Sequence, residues 1–437
     1  MLRTSMFRTS RMVIVKSFLL FSFIVSCVAF PSLGASKTKE ESAKQTIDQT
    51  YDQLKLLLDV YQQVNQNYVE DVDTKKLIYG AAAGLVGTLD PFSQFMVPEA
   101  REEMQTTTEG QFGGLGIRIM IKEDWLTVIT PLPDTPAYRA GVLPEDKIVM
   151  IDQDSTRGMT LQDAVKKLRG APKTQVKITL AREGVKEPIP ITLTRENIII
   201  ISVKSKMLTN GVGYVRITEF IEPTLRDLQK ALEGLTKQGM QSLIVDLRNN
   251  PGGLLISAVD VAKEFIGDQK LIVYTEGRAQ PRQDFKADTT APYKKIPIVC
   301  LINRGSASGS EIVAGAFQDH GRAVLVGSES FGKGSVQSVI KLEDGSGLRL
   351  TTAKYYTPAG RSIHRDMKTG VGGIQPDIVV QVERDAEVKL QAQSEEVYAK
   401  GQESHSLVPD KERVKDDVLG RALEVLKIRP IIVGQKE

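Results

Sequence analysis

Short apolar strands alternate with helical segments between residues 213 and 326. The runs at 242–246 and 297–302 are apolar almost throughout, which indicates strands that are buried on both faces. Segments with helical patterns accompany them, at 224–238, 255–266 and 311–319. Because a sheet whose strands alternate with helices is covered on both sides, we predict an α/β core with a partly parallel sheet over residues 198–384.

A glycine-rich stretch opens a second, smaller module ahead of this core. Four glycines fall between residues 110 and 116, and short β runs follow at 125–130 and 147–151. An amphipathic helix at 160–169 and two further strand patterns complete the unit. We therefore predict a small β-rich domain with helices over residues 108–197.

Both ends of the remaining chain have helical patterns. Apolar residues recur every three or four positions from Tyr51 to Tyr68, so one face of this helix is apolar. That face packs on a core of its own or forms a dimer contact, and the sequence leaves both readings open. We predict an N-terminal helical region over residues 36–107, in which 36–50 form a flexible polar leader, and a C-terminal helical tail over 385–437. A homo-oligomer would form through one of these helical ends.

The first 35 residues have the pattern of an export signal. Basic residues come first, an apolar run covers 18–30, and the small residues Gly34 and Ala35 suit a signal peptidase. We predict a signal peptide over residues 1–35 and an exported protein, periplasmic or held in the cell envelope, where an adaptor protein is a candidate partner. An uncleaved membrane anchor and a lipoprotein processed at Cys27 are the alternatives.

Charge and cysteine content exclude several classes of function. The net charge of +3 depends on four basic residues before residue 36; without them, 57 − 4 = 53 basic residues stand against 54 acidic ones. A near-neutral protein gives no reason to expect nucleic-acid binding. The two cysteines are Cys27 and Cys300, and Cys300 lies in an apolar run typical of a buried core. We therefore expect neither a cysteine nucleophile nor a cysteine-based zinc site, and we expect no metal and no cofactor.

A serine-rich segment follows the apolar strand at 297–302. Residues 305–311 read Gly-Ser-Ala-Ser-Gly-Ser-Glu, and a helix begins directly afterwards. Ser308 would therefore lie near a helix N-terminus, where free backbone N–H groups favour a developing negative charge. On residue types alone, a serine-rich helix cap explains the segment equally well.

Two further segments supply the other parts of a hydrolase site. Residues 331–337 read Phe-Gly-Lys-Gly-Ser-Val-Gln, and burial would lower the pKa of Lys333 enough for its neutral amine to accept a proton. Gln337 could orient that lysine by hydrogen bonding. The segment Asp-Leu-Arg-Asn-Asn-Pro-Gly-Gly ends at Gly252 and Gly253, which let backbone N–H groups approach a substrate carbonyl. None of the three histidines lies in a motif that would make it the base.

Together these segments resemble the carboxyl-terminal processing proteases, a bacterial and plastid family of Ser-Lys peptidases, over roughly residues 50–380. The resemblance implies that Ser308 is the nucleophile, Lys333 the base and Gln337 its partner. It also implies an oxyanion hole formed by Gly252 or Gly253 together with the amide of Gly309. The implied function is an endopeptidase that works through an acyl-enzyme. The alternative is a catalytically quiet scaffold that only binds peptides in the cell envelope.

The glycine-rich module resembles a PDZ domain. The run Gly114, Leu115, Gly116 and Ile117 is similar to the loop with which such domains grip the C-terminal carboxylate of a peptide. The sequence departs from the pattern at Glu145, where relatives often have glycine. The resemblance implies that protein substrates are bound by their C-termini.

Arg169, at the end of the helix at 160–169, is a candidate regulatory residue. We hypothesise that the resting PDZ domain blocks the active site and that a bound C-terminus displaces it. Arg169 would then pair with an acidic group on the protease core. The alternative is a helix-terminal cation with no further role.

Overall fold

The computed structural model describes the backbone of residues 34–132, 134–208, 211–366, 368–396 and 413–433. The chain divides into two compact units, with the division between residues 78 and 79. The predicted signal peptide and Cys27 therefore lie outside the described residues, apart from positions 34 and 35. Among the helices that are described, none is long and apolar enough to cross a membrane.

The N-terminal region is helical, as predicted. Its elements are α1 (Gly34–Asn67), α2 (Thr74–Gly87), β1 (Gln94–Met96) and α3 (Pro98–Thr108). The expectation of a flexible leader over residues 36–50 is wrong, because α1 already includes them. Lysine, glutamate and glutamine have high helix propensity and make up much of that stretch, so its polarity was no argument against a helix. The predicted apolar face of α1 includes Tyr51, Leu54 and Leu58, which are exposed. A dimer contact there stays a prediction.

The small β-rich domain is also confirmed. Its elements are β2 (Gln111–Gly114), β3 (Ile117–Lys122), β4 (Trp125–Pro131), α4 (Pro136–Arg139), β5 (Lys147–Ile151), β6 (Asp154–Ser155), α5 (Leu161–Leu168), β7 (Gln175–Ala181), β8 (Ile189–Thr194) and β9 (Glu196–Ile199). One sheet has the strand order β3-β4-β5-β7-β8, with β6 on β5, and β2 pairs separately with β9. Alternate residues of these strands, such as Leu126, Ile148 and Ile178, are fully buried in one core. The antiparallel pairing of β2 with β9 brings the two ends of the domain together.

Glu145 occupies a position where the PDZ resemblance predicts glycine. Its backbone conformation explains why glycine is preferred there. Its φ is +67°, in the left-handed region that costs an ordinary residue about 1–2 kcal/mol. The turn is kept nevertheless: the Glu145 amide donates to the Val128 carbonyl at 2.9 Å. The side chain also accepts a hydrogen bond from Lys122 at 2.7 Å. The departure therefore leaves the turn geometry intact.

The α/β core follows, and its partly parallel sheet is confirmed. The elements are β10 (Val203–Met207), β11 (Val212–Ile217), α6 (Thr224–Lys237), β12 (Ser242–Asp246), α7 (Leu255–Lys263), β13 (Leu271–Glu276), β14 (Gln283–Lys286), β15 (Ile298–Ile302), α8 (Gly309–Asp319), β16 (Val324–Gly327), β17 (Ser335–Lys341), β18 (Gly347–Tyr356) and β19 (Ile378–Val379). The main sheet has the order β10-β11-β12-β15-β16-β19, in which only the β10–β11 pair is antiparallel. A second, antiparallel sheet has the order β1-β18-β13-β14, with β17 also on β18.

Helices cover both faces of the main sheet, which is why its strands are continuous apolar runs. On one face, Val245 and Cys300 pack with the apolar residues of α6, α7 and α8. The other face carries Ile244 and Val299, and the tail covers it. The tail comprises α9 (Arg384–Glu396) and α10 (Asp417–Val433), and Val418, Ala422 and Leu426 of α10 are buried on the sheet. The predicted helical tail is therefore part of the core.

Candidate active site

Ser308 lies at the turn between β15 and α8, in a strained backbone conformation. Its φ is +55° and its ψ is −113°, a combination that costs a residue other than glycine of order 1–3 kcal/mol. The neighbouring serines are buried and already used: Ser306 Oγ donates to the Leu247 carbonyl at 2.8 Å, and Ser310 Oγ donates to the Asn250 carbonyl at 2.9 Å. Of the three serines, Ser308 is the one whose side chain reaches the cleft.

Glu311, in the first turn of α8, joins the serine segment to the lysine segment. Its fully buried carboxylate accepts four hydrogen bonds: from the amides of Ser308 (2.8 Å), Gly332 (2.6 Å) and Lys333 (2.9 Å), and from Ser330 Oγ (2.5 Å). Burial raises the pKa of Glu311, while these hydrogen bonds oppose that rise. Three of the four partners are backbone amides, which can only donate, so the carboxylate oxygens act as the common acceptor that joins the two segments.

Lys333 lines the same cleft as Ser308. Burial lowers the pKa of its ammonium group, the positive charge of Arg349 lowers it further, and the Glu311 carboxylate acts in the opposite direction. Its Nζ lies 4.8 Å from the centre of the Phe92 ring, a cation–π distance. Ser308 and Lys333 both belong to the described residues, and no hydrogen bond joins their side chains. The lysine thus has the electrostatics of a base but rests on an aromatic ring.

Tyr355 and Gln337 complete the surroundings of the lysine. The Tyr355 hydroxyl donates to the Lys333 carbonyl. Burial raises the pKa of this phenol well above its usual range, so it stays neutral. Gln337 lines the cleft but donates its amide to Ser335, at 2.8 Å to Oγ and 3.2 Å to the carbonyl. It therefore orients Ser335 here, and its predicted contact with the lysine is not made in this arrangement.

The glycine pair in the loop after β12 abuts the nucleophile. Gly252 has φ +99°, and a Cβ atom on it would lie 2.6 Å from Ser308 Cβ. Gly253 has φ +142°, and a Cβ atom there would lie 2.1 Å from the Phe220 carbonyl oxygen. Both positions therefore require glycine, for conformation and for space.

The backbone N–H groups of this loop differ in whether they have a hydrogen-bond acceptor. The Gly252 N–H donates to Asn250 Oδ1 at 2.8 Å. Within the described part of the chain, the N–H groups of Gly253 and Gly309 have no acceptor, since Gly309 is the first residue of α8. Free N–H groups beside a nucleophile are what an oxyanion hole requires.

A buried charge cluster supports the loop from behind. Asp246 is fully buried; burial would raise its pKa, but the Arg248 guanidinium and its hydrogen bonds hold the pKa below the ordinary value. Arg248 bonds Asp246 at 2.7 Å and Asp416 at 2.8 Å, and Tyr214 donates to Asp246 at 2.6 Å. Asp416, the tail residue just before α10, thereby anchors the start of the glycine loop.

The cleft in front of Ser308 has a volume of about 620 Å³. The predicted site residues that line it are Ser308, Lys333, Gln337, Gly252, Gly253 and Arg169. Its apolar lining includes Phe220, Ile221, Leu254, Leu255 and Ile312. A cleft of this size and polarity suits a short stretch of peptide with apolar side chains.

The glycine-rich loop before β3 has the geometry of a carboxylate site. The carbonyls of Leu115 and Gly116 point inward and accept from the amides of Ala137 (3.0 Å) and Leu132 (2.7 Å). Thr135 Oγ1 adds a hydrogen bond to the Gly116 carbonyl at 3.2 Å. Among the residues with described positions, nothing accepts from the N–H groups of Leu115 and Gly116. The predicted loop of Gly114 to Ile117 thus offers free backbone donors.

Arg169 caps the C-terminal end of α5 and reaches the cleft. Its guanidinium bonds Glu103 of α3 at 2.8 Å and lies 4.3 Å from the centre of the Phe112 ring. The charge of Arg169 also acts on Glu219 of the core: burial raises the pKa of Glu219, and Arg169 lowers it. In this arrangement Arg169 pairs with the N-terminal region and not with the α/β core.

Histidine and cysteine side chains could also take part in catalysis, but those that are described here make structural contacts. His320 Nε2 lies 2.7 Å from the Leu271 carbonyl, and His364 packs against Gly334, so both are partly buried. His405 lies outside the described residues. Cys300 is buried, as predicted, and burial raises the pKa of its thiol. Within the described residues, no three metal-ligating side chains are grouped as an ion site.

Sequence reasoning missed the groups that connect the motifs. The sequence shows Glu311 as part of a Ser-x-x-Glu capping pattern. It does not predict the contacts of Glu311 with the lysine segment. Tyr355, Phe92, Arg349 and Asp416 reach the site from distant segments, and no local pattern marks them.

Comparison with known proteins agrees with this geometry. Residues 211–380 match peptidase family S41, residues 127–182 match a PDZ domain, and residues 23–100 match the N-terminal domain of the activating protease CtpB. The carboxy-terminal-processing protease of Bartonella bacilliformis is 43% identical over 339 residues, which cover 76% of each chain. The corresponding protease of Synechocystis is 36% identical, over 75% of this chain and 81% of its own.

One further relative and one solved structure are also similar to this chain. The carboxy-terminal processing protease CtpA of Bacillus subtilis is 33% identical over 82% of this chain and 75% of its own. A solved structure of a photosystem II D1 C-terminal processing protease is 32% identical, covers 74% of this chain and 86% of its own, and has a TM-score of 0.47. Fold and site define a serine-type peptidase with an inserted PDZ domain. The chain belongs to peptidase family S41, among the carboxyl-terminal processing proteases.

Proposed function

We propose that this protease cleaves proteins near their C-termini through a Ser308–Lys333 dyad. Neutral Lys333 takes the proton of Ser308 Oγ as that oxygen bonds to the scissile carbonyl carbon, and the leaving amine then takes the proton. Water hydrolyses the resulting acyl-enzyme. The observation that carries the proposal is the Glu311 carboxylate, which bonds the backbone amides of both residues and so fixes the two segments against each other.

Catalysis requires the lysine to leave Phe92. In the arrangement described here, Nζ lies against the aromatic ring and is not hydrogen-bonded to Ser308. A rotation of the lysine side chain toward Ser308 would exchange the cation–π contact for the proton-accepting one. Substrate that fills the cleft, which both residues line, is a suitable trigger for that rotation.

The oxyanion would bind to the N–H groups of Gly253 and Gly309. Gly309 directly follows Ser308 and Gly253 lines the same cleft. Neither N–H has an acceptor in the described residues, whereas the Gly252 N–H donates to Asn250. Gly252 instead provides the space that the nucleophile needs. This assignment favours Gly253 over Gly252 as the donor.

Substitution of the two dyad residues tests the proposal against the alternative of a quiet scaffold. Ser308→Ala and Lys333→Ala should each lower kcat for an internally quenched peptide at least about a thousandfold, with the fold unchanged by circular dichroism. Lys341→Ala, on an exposed position of the same hairpin, is the control for the lysine. Ser310→Ala removes one buried hydrogen bond and should keep measurable activity. Full activity of Ser308→Ala would contradict the assignment.

The PDZ domain would both recruit substrate C-termini and regulate access. Arg169 lines the catalytic cleft, which is the observation that connects the two. Because Gln111 and Ile199 are paired neighbours, residues 111–199 can be replaced by a short glycine linker. Cleavage of a short reporter peptide should then be unchanged or faster if the domain is inhibitory. Loss of cleavage in a folded variant would make the domain an activator.

Export to the periplasm or cell envelope is proposed from the sequence. N-terminal sequencing of the mature protein should begin near residue 36. A diacylated Cys27 would instead show a lipoprotein.

A homo-oligomer through the exposed apolar face of α1 predicts that Leu54→Glu lowers the mass measured by light scattering. An envelope adaptor protein would be found by crosslinking in the native compartment.

A further inference from the structure

A second cavity lies between the main sheet and the tail, and the proposed mechanism does not use it. Its volume is about 170 Å³. Its walls come from β10 and β11, from the chain just after β12 and β15, and from α9 and α10. Among the described residues, its lining and that of the catalytic cleft have no member in common.

Arg216 of β11 places a buried guanidinium in the wall of this cavity. The residue is 6% exposed, and its Nε has no hydrogen-bond acceptor in the part of the chain that the structure describes. Arginine does not lose its proton in proteins, so it cannot relieve the cost of burial by becoming neutral. Because a buried charge without a hydrogen-bond partner is costly, this position calls for an anion.

The neighbouring carboxylates are already bonded to another arginine. Asp246 lies opposite Arg216 on β12, and the two charges attract each other. However, the Asp246 oxygens accept from the Tyr214 hydroxyl at 2.6 Å and from the Arg248 amide, Nε and amino nitrogen at 2.9, 3.0 and 2.7 Å. Asp416 also pairs with Arg248, at 2.8 Å. Neither acid therefore provides a hydrogen bond to Arg216.

Positive charge dominates around Arg216. Lys204 is its partner in the register of β10 and β11, and Arg118 of the PDZ domain is near enough for its charge to act on both residues. Lys206 lines the cavity and, among the described residues, has no ion pair at hydrogen-bond distance. Apart from the acid paired above, Glu387 is the acidic residue in the described wall. The cavity thus has more cations than anions to balance them.

We propose that this cavity binds a small oxyanion, of the class of inorganic phosphate or sulfate, through Arg216 and Lys206. A guanidinium and an ammonium group form charge-assisted hydrogen bonds, the strong kind, with such an ion. Asn249 and Gln391 add neutral amide groups to the wall. A volume of about 170 Å³ has room for one tetrahedral ion and a few waters, and lies below the roughly 300 Å³ at which pockets for larger ligands begin.

The wall of the cavity also joins the two loops of the active site. Asn249 belongs to the loop that carries Gly252 and Gly253, and Asn303 precedes the turn of Ser308. The Asn249 amide donates to Asn303 Oδ1 at 2.8 Å, and Asn303 Nδ2 donates to Asn249 Oδ1 at 2.8 Å. An ion that binds only when these walls are in place would stabilise that arrangement of both loops.

Thermal unfolding of the full chain tests the site. The protein is heated at pH 8 in 50 mM sodium phosphate, in 50 mM sodium sulfate, and in sodium chloride of the same ionic strength. Each oxyanion should raise Tm by about 2–4 °C above the value in chloride. Phosphate and sulfate also stabilise proteins in general, so the part of the rise that disappears in Arg216→Gln measures binding. A rise with phosphate alone would identify phosphate as the ion.

Three variants give the comparison its controls. Arg216→Gln removes an uncompensated buried charge, so its Tm in chloride should be unchanged or higher. If that variant does not fold, Lys206→Gln, at a half-buried position, should still lose at least about half of the rise. Arg226→Gln removes an exposed arginine of α6, on the other face of the main sheet, and should keep the full rise.

Hydrogen exchange tests the connection to the active-site loops. The amides of residues 247–253 should exchange at least about threefold more slowly in phosphate than in chloride, and Arg216→Gln should abolish the difference. Neither readout depends on peptide cleavage, so failure here is distinct from failure of the proposed dyad.

The contrary results overturn separate statements. An equal rise in Tm in the unsubstituted protein, Arg216→Gln and Lys206→Gln would show a general salt effect and overturn the site. Loss of the rise in Arg226→Gln would also overturn it. A rise that depends on Arg216 without slower exchange of residues 247–253 would overturn the connection to the catalytic loops.

Discussion

Replacement of Glu311 by glutamine tests whether one carboxylate holds the catalytic geometry. In Glu311→Gln, the amide oxygen can serve two of the four donors, and the NH2 group must face the other two. The less costly orientation turns the NH2 group toward Ser330 and Gly332, because the hydroxyl can rotate to accept. The Gly332 amide then has no acceptor. One buried donor without a partner costs about 1–3 kcal/mol, and the reverse orientation would leave two.

The expected loss of activity is larger than the loss of stability. The Ser308 and Lys333 amides would keep the glutamine oxygen as their acceptor, but Gly332, the neighbour of Lys333, would lose its acceptor. A resulting displacement of the lysine segment by about 1 Å would cost about a hundredfold in rate. Urea unfolding should give a free energy lower by about 1–3 kcal/mol, and kcat/KM should fall about a hundredfold. Glu343→Gln, on an exposed position between β17 and β18, is the control and should change neither.

Urea unfolding and kcat/KM together distinguish two ways in which the proposed role of Glu311 could be wrong. A Glu311→Gln protein that unfolds like the unsubstituted one and keeps most of its kcat/KM would refute the bridging role. A protein that loses stability but not kcat/KM would show that Glu311 supports the fold without fixing the dyad.

Three more substitutions have definite expected outcomes. Arg349→Gln removes a positive charge that lowers the pKa of Lys333, so the rise of kcat/KM with pH should move to higher pH, with up to about fivefold less activity at pH 7. Phe92→Leu removes the cation–π contact that favours the ammonium form, so the same rise should move to lower pH; a shift in the other direction would contradict the contact. Gly252→Ala places a methyl group 2.6 Å from Ser308 Cβ, and a peptidase assay should show at least about a hundredfold loss. Near-normal activity of that variant would mean that the loop is free to move.

The sequence predicted the elements whose causes are local. The strand at 242–246 was placed correctly because continuous apolar residues between turn signals require burial. The position of Ser308 at the start of a helix followed from the small residues before it and the helical pattern after it. The helix at 255–266 was drawn three residues too long, since Phe265 and Ile266 are buried without being helical.

What the sequence did not predict depends on contacts between distant segments. The second sheet brings β1, β13, β14 and β18 together from across the chain, and pairing of that kind leaves no local signature. The same holds for Asp416, which reaches Arg248 from 168 residues away. The pairing of Arg169 with an acidic group of the core after displacement of the PDZ domain stays a prediction. In this arrangement its partner is Glu103, and only the fold of α3 decides that.

Covalent labelling shows whether Ser308 is the nucleophile that Lys333 activates. The protein is treated with a fluorophosphonate at pH 9, digested, and the modified serine is located by tandem mass spectrometry. We expect a single adduct on Ser308 that is lost in folded Lys333→Ala, because no neutral amine then removes the hydroxyl proton. An adduct on Ser306 or Ser310, or labelling of Ser308 that persists at the same rate in Lys333→Ala, would contradict it.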